Sequence, residues 1–155
     1  VMKFLILIGI GVLSVFQLAA QGPTTDEPVY RVVESMPAIG DCKELKDEAS
    51  KNKCTQERIV FHIQNEIVYP EELKEYGVEG VVYTYFVVGK DGAIRDAKVI
   101  RGVEHSMDTE ALRVVKMLPE FHPGKQGGKA VSVEYTIPIQ FKLNHGDEVL
   151  PESED

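Results

Sequence analysis

Residues 80–88, Gly-Val-Val-Tyr-Thr-Tyr-Phe-Val-Val, constrain the fold of this chain more than any other segment. β-Branched and aromatic residues fill the run, which is the composition of a strand. Both of its alternating faces are apolar or nearly so, which suits a strand in the middle of a sheet. Gly89-Lys90-Asp91-Gly92 follows, and the Asp91-Gly92 pair is the strongest turn signal in the chain. Residues 93–101 then read as a second, more polar strand carrying Ile94, Ala97, Val99 and Ile100, antiparallel to the first.

A third strand is expected over 131–143. Val131, Val133, Tyr135, Ile137, Ile139, Phe141 and Leu143 fall on one face, with Ser132, Glu134, Thr136, Gln140 and Lys142 on the other. Pro138 lies on the polar face and donates no hydrogen bond, which places this strand at a sheet edge or at a bulge. Between strands two and three, Asp108 is expected to cap a helix with Glu110 in its first turn, and Ala111, Leu112, Val115 and Leu118 form its apolar stripe before Pro119 stops it. Residues 121–124 and Gly127-Gly128 read as a turn-rich loop. A right-handed crossover makes strand three parallel to strand two, on the free side of strand one. The expected fold is α+β: a three-stranded antiparallel or mixed sheet in the order 2-1-3, with helices packed on one face.

Upstream, Ile59, Ile63 and Ile67 stand at i, i+4 and i+8 with Val60 beside them, and predict a helix over 55–67 capped by Thr55. Tyr69-Pro70 ends it, because the residue before a proline avoids helical angles. A short second helix is expected to begin with Pro70 at its first position, Glu71 and Glu72 at its positive end and Gly77 at its exit. Residues 41–53 are highly charged and fit either a helical turn or a loop. Residues 22–40, with Pro23, Pro28 and Pro37, read as an extended lead-in to which Val29, Val32 and Val33 could add a short strand.

The amino-terminal segment is expected to be a targeting sequence. Lys3 is the only charge among the first 25 residues, 4–16 are nearly all apolar, and small and polar residues follow. A spanning helix needs about 20 apolar residues, and this run is shorter, so a cleaved signal peptide over 1–21 is favoured over a short uncleaved anchor. Export suits the two cysteines. In an oxidising compartment Cys42 and Cys54 would close a loop of about a dozen residues; two free thiols are the other reading, and the spacing fits no common zinc pattern. The domain reading is therefore 1–21 signal peptide or anchor, 22–54 disulfide-closed lead-in, 55–143 folded domain and 144–155 acidic, disordered tail.

The chain carries a formal charge of −8, which argues against nucleic acid as a partner and against anionic lipid surfaces. Catalytic constellations are missing from the sequence. His62 and Glu66 are four apart on a helix without an H-E-x-x-H pattern. His105, Ser106 and Asp108 are explained by capping, and His122 and His145 stand alone. No G-x-S-x-G elbow and no phosphate loop occurs. No enzymatic activity, cofactor or metal is expected.

Taken together, Tyr69-Pro70, Gly77-Val78-Glu79-Gly80, the strand 82–88, Lys90-Asp91-Gly92, residues 108–115, Pro119, Pro123-Gly124, Gly128-Lys129-Ala130-Val131 and Ile137-Pro138-Ile139-Gln140-Phe141 resemble the C-terminal domain of TonB-type energy transducers. The resemblance covers about 69–143. Cys42 and Cys54 resemble a branch of that family with two cysteines upstream of the domain. It implies a periplasmic domain that binds a short peptide of outer-membrane receptors by strand addition, in transport driven by the inner-membrane proton gradient. The partner-binding residues it implies are Ser132, Val133, Glu134, Tyr135 and Thr136, and an edge strand could also pair with its own copy. Phe121 stands where the family usually has Trp, which keeps an apolar anchor and loses an N–H donor. Family transducers also have a long Pro-rich spacer, whereas fewer than fifty residues separate Ala20 from Tyr69. The second reading is therefore a stand-alone accessory or structural envelope protein with the same fold.

Overall fold

The computed structural model describes residues 27–143. The targeting segment 1–21 and the acidic tail 144–155 lie outside the described residues. The order of elements is β1 (Val29–Tyr30), β2 (Ala38–Ile39), a 3-10 turn (Gly40–Glu44), α1 (Glu48–Glu66), α2 (Glu71–Lys74), β3 (Gly80–Val88), β4 (Ile94–Arg101), α3 (His105–Lys116), β5 (Phe121–His122), β6 (Gly124–Gln126) and β7 (Lys129–Phe141).

β3 is central. β4 and β7 flank it, both antiparallel, with Thr84 opposite Val99 on one side and Ile137 on the other. That is the 2-1-3 order expected from the pattern of residues 80–143. Val82, Thr84, Phe86 and Val88 are all fully buried beneath the helices. Val82, Phe86 and Val88 join Ile59 and Ile63 of α1, Met107, Ala111, Val114 and Val115 of α3, and Ile139 and Phe141 of β7 in one cluster. Phe86 anchors it, stacked on Tyr135 with ring centroids 5.5 Å apart and tilted against Phe121 at 6.3 Å. A core side chain of this size stabilises by several kcal/mol, on the order of 3–5 when truncated to alanine.

The sheet is wider than expected. β1 pairs parallel with β7, and β6 pairs antiparallel with it, so the ordered path is β1-β7-β3-β4 with β6 also on β7. The turn-rich loop after Pro119 is therefore structured. Phe121–His122 pairs with Ala38–Ile39 in a small second sheet. Gly127 and Gly128, with φ of +56° and +73°, make the tight turn between β6 and β7, a conformation that glycine adopts without a steric penalty.

Two helices begin earlier than their apolar stripes suggest. α1 starts at Glu48, not Thr55, because Asp47 caps it by accepting from the Ser50 N–H at 2.8 Å. Its first turns are polar, so no apolar period reveals them; the boundary drawn at residue 55 falls inside one continuous helix. α3 starts at His105, where Glu104 is the cap and accepts from Ser106 N–H at 3.0 Å. Asp108 instead accepts from the Val103 N–H at 3.0 Å. Within α3, Val114 is buried and Leu112 only half-buried, while Val60 on α1 faces outward. Pro70 precedes α2 as its cap residue rather than opening it. No helix among the described residues is long and apolar enough to cross a membrane.

Candidate partner-binding edge of strand β7

β7 is a long strand with two differently treated sides. Its inner side pairs with β3 from Val133 to Phe141. Before its pairing with β3 begins, β7 pairs with β6 at Lys129, Ala130 and Val131. Its outer side, away from β3, is covered only by β1, at Ser132 and Val133. From Glu134 to Phe141 the outer edge has no strand partner among the described residues. Pro138 lies in this unpaired half, opposite Tyr83, where a missing N–H breaks no ladder on the outer side.

The five residues singled out for partner binding divide accordingly. Ser132 and Val133 are buried and already paired to β1. This departs from an edge exposed along its whole length, and the cause is the lead-in, which folds back as a strand. Tyr135 points its ring into the core. Its hydroxyl donates to the Pro37 carbonyl at 3.3 Å, and burial pushes its phenol far above the ordinary tyrosine range. Glu134 and Thr136 face the opposite side of the sheet, where the cross-strand neighbours are Val87 and Tyr85.

Charge on that open face is arranged in a row crossing four strands. Lys98 of β4 lies 4.8 Å from the Tyr85 ring centre. The Tyr85 hydroxyl donates to Glu134 Oε2 at 3.2 Å, and Arg31, just past β1, donates to Glu134 Oε1 at 2.5 Å. Burial, followed by the Glu134 carboxylate, raises the Tyr85 phenol above its ordinary value. A cleft of about 390 Å³ lies beside this row, where β1 meets the β3–β4 turn. Four of its charges are paired: Lys90 meets Glu27 at 3.3 Å, and Arg95 meets Asp91 at 2.6 Å. The Ala93 amide, then Arg95, hold the Asp91 carboxyl below the usual carboxylate range.

The motif residues have structural positions around this edge. The Tyr69 hydroxyl donates to the Val78 carbonyl, and its ring meets Phe141 edge-on at 5.8 Å, which ties the chain after α1 to the end of β7. Gly80 opens β3. Gly92 turns at φ +84°, and a Cβ there would lie 1.8 Å from the Phe121 carbonyl oxygen. Pro119 and Pro123 bracket β5, whose Phe121 is buried against Phe86 and Tyr135. Cys42 and Cys54 form a disulfide with Cα atoms 5.7 Å apart, joining the 3-10 turn to α1. His62 Nε2 lies 3.2 Å from the Val114 carbonyl oxygen, bridging α1 to α3. No group of three or more His, Cys, Asp or Glu able to hold a metal occurs among the described residues.

The sequence allows a short strand at Val29, but it does not reveal that this strand and Arg31 lie along this edge. Val29-Tyr30 has strand composition, but two residues carry no period, and their pairing spans about a hundred positions.

Residues 65–143 match the family model described as Gram-negative bacterial TonB protein C-terminal. Protein TonB of Pseudomonas aeruginosa is 33% identical over 76 residues, which are 49% of this chain and 22% of that protein. The chain thus spans about a fifth of that relative's length. The NMR structure of the Helicobacter pylori TonB C-terminal domain is 23% identical, covering 72% of this chain and 100% of that one at a TM-score of 0.49. The NMR structure of the Pseudomonas aeruginosa TonB C-terminal domain is 32% identical, covering 50% of this chain and 79% of that one at a TM-score of 0.40.

Proposed function

This chain belongs to the Gram-negative bacterial TonB protein C-terminal family, and we propose from that premise that it is a periplasmic protein-binding domain that takes an extended peptide as an added strand on β7. Its family is one of protein-interaction domains rather than enzymes. The observation that carries the reading is the unpaired outer edge from Glu134 to Phe141. An unpaired edge presents a row of backbone donors and acceptors that an incoming strand can complete. The edge sits on a rigid support, since β7 is bonded to β3 along its inner side and Ile139 and Phe141 are locked in the core. The partner proposed is a peptide segment of an outer-membrane receptor, and the role is in receptor-dependent transport across the envelope.

The test is an amide NMR titration with a synthetic peptide from the periplasmic end of such a receptor. Shifts should concentrate on Glu134, Thr136, Gln140 and their β7 neighbours. Absence of shifts on β7 with every receptor peptide tried would remove the reading.

A further inference from the structure

The piece of β7 edge that β1 covers is lightly held. Only Val29 with Ser132 and Tyr30 with Val133 join the two strands. Val29 is 45% exposed, and the Arg31 side chain that reaches Glu134 is 86% exposed. Such a surface ion pair contributes little. Farther along, the lead-in touches the β6–β7 turn through Glu34, which accepts from the Gly127 N–H at 3.0 Å.

From Val33 on the hold changes character. Val33, Pro37, Ala38, Ile39 and Cys42 are buried, Ser35 exchanges backbone hydrogen bonds with Lys125 at 3.1 and 2.8 Å, β2 pairs with β5, and Cys42 is crosslinked to Cys54. The lead-in thus has a root fixed by burial and a covalent bond, and an upstream stretch, residues 27–31, that rests on the edge.

We infer that β1 is a resident placeholder strand, which covers Ser132 and Val133 until an extended peptide takes its place. The inference rests on the edge-binding reading above and adds its regulation. A partner that displaces β1 gains a continuous edge over 132–141 instead of 134–141. Displacement also strips Arg31 from Glu134, leaving that carboxylate with the Tyr85 hydroxyl alone. The incoming strand that fits best therefore brings its own cation opposite Glu134, after a pair of β-branched or aromatic residues. That is the chemistry of Val29-Tyr30-Arg31 supplied by another chain.

The experiment uses the full chain, its Tyr30→Pro variant and two peptides. The first peptide copies residues 27–34 (EPVYRVVE), and the second carries Glu in place of its arginine. Tyr30→Pro removes a strand N–H and frees the edge, so the copied peptide should bind the variant about tenfold more tightly than the unaltered chain. The charge-reversed peptide should lose most of that gain. Arg31→Ala keeps the backbone pairing and should give about a threefold gain, in line with an exposed ion pair; it carries the test if the proline variant melts out. Equal affinity of the copied peptide for all three chains, within a factor of two, overturns the placeholder. A receptor peptide that binds all three chains equally also overturns it, while the edge reading stands. A receptor peptide that binds none of them, beside a copied peptide that does bind, removes the receptor reading and leaves the placeholder in place.

Discussion

Reducing the Cys42–Cys54 disulfide should lower the melting temperature of the chain by roughly 10 °C, and the number follows from its geometry. The two cysteines are 12 positions apart. Closing a loop of that size in the unfolded chain removes about 10 cal/mol/K of entropy, or about 3 kcal/mol at room temperature. Spread over the unfolding entropy of a domain of this size, 3 kcal/mol corresponds to roughly 10 °C. The effect acts mainly on the unfolded state, so the folded core should keep its packing. Reduction should instead loosen the region that the bond joins, from Ala38 to Glu44 and the first turns of α1. The assay is calorimetry of the oxidised and the fully reduced chain, with reduction verified by mass, accompanied by amide exchange. A shift below about 3 °C would refute the loop-entropy reasoning. Exchange rising first in β3 rather than in Ala38–Glu44 would refute the local assignment.

Gly92→Ala should destabilise by about 3 kcal/mol or more in urea unfolding, because the residue turns at φ +84° and its Cβ would strike the Phe121 carbonyl. Phe86→Ala should cost about 3–5 kcal/mol in the same measurement, since it empties the centre of the cluster. Glu110 accepts from the Val68 N–H at 2.6 Å and pairs with Arg113, which donates to the Glu66 carbonyl, so this group stitches α3 to the end of α1. Glu110→Gln should cost about 1 kcal/mol. Arg113, the largest cause, holds the Glu110 carboxyl below its ordinary value. A depressed carboxylate adds stability above its unfolded-state value, and that stability is lost as pH falls through the folded-state value. The gap between the parent and the Gln variant should therefore be full at neutral pH and close in the acid range below the ordinary Glu value; a constant gap down to pH 3 would refute this.

The centre of the sheet was legible because its residues state their environment. The two-sided apolar run 80–88 needed neighbours on both edges, and the alternation of 131–143 needed a core on one side only. Both demands are met by the same strand order. What escaped was set by partners distant in sequence. The first turns of α1 hold together through Asp47 and a covalent bond rather than an apolar stripe. β6 is Gly-Lys-Gln, a strand because Gly127-Gly128 folds it onto β7 and Ser35 pairs with Lys125 on its other side. Of the candidate site, Glu134 and Thr136 stand where an unpaired edge was expected. Ser132 and Val133 do not, because Val29-Tyr30 reaches them from about a hundred residues away.

The crosslink also defines a path for tension. If the chain were pulled from Glu27 while β7 was gripped along its edge, the force would run through residues 27–42 and cross at once from Cys42 to Cys54. Residues 43–53 would bear none of it, and α1 would be loaded from within its own length rather than from its end. The contacts of β1 would yield first, followed by the buried pairing of β2 with β5. The central strands would feel the load only after the lead-in had been drawn out as far as the sulfur bridge.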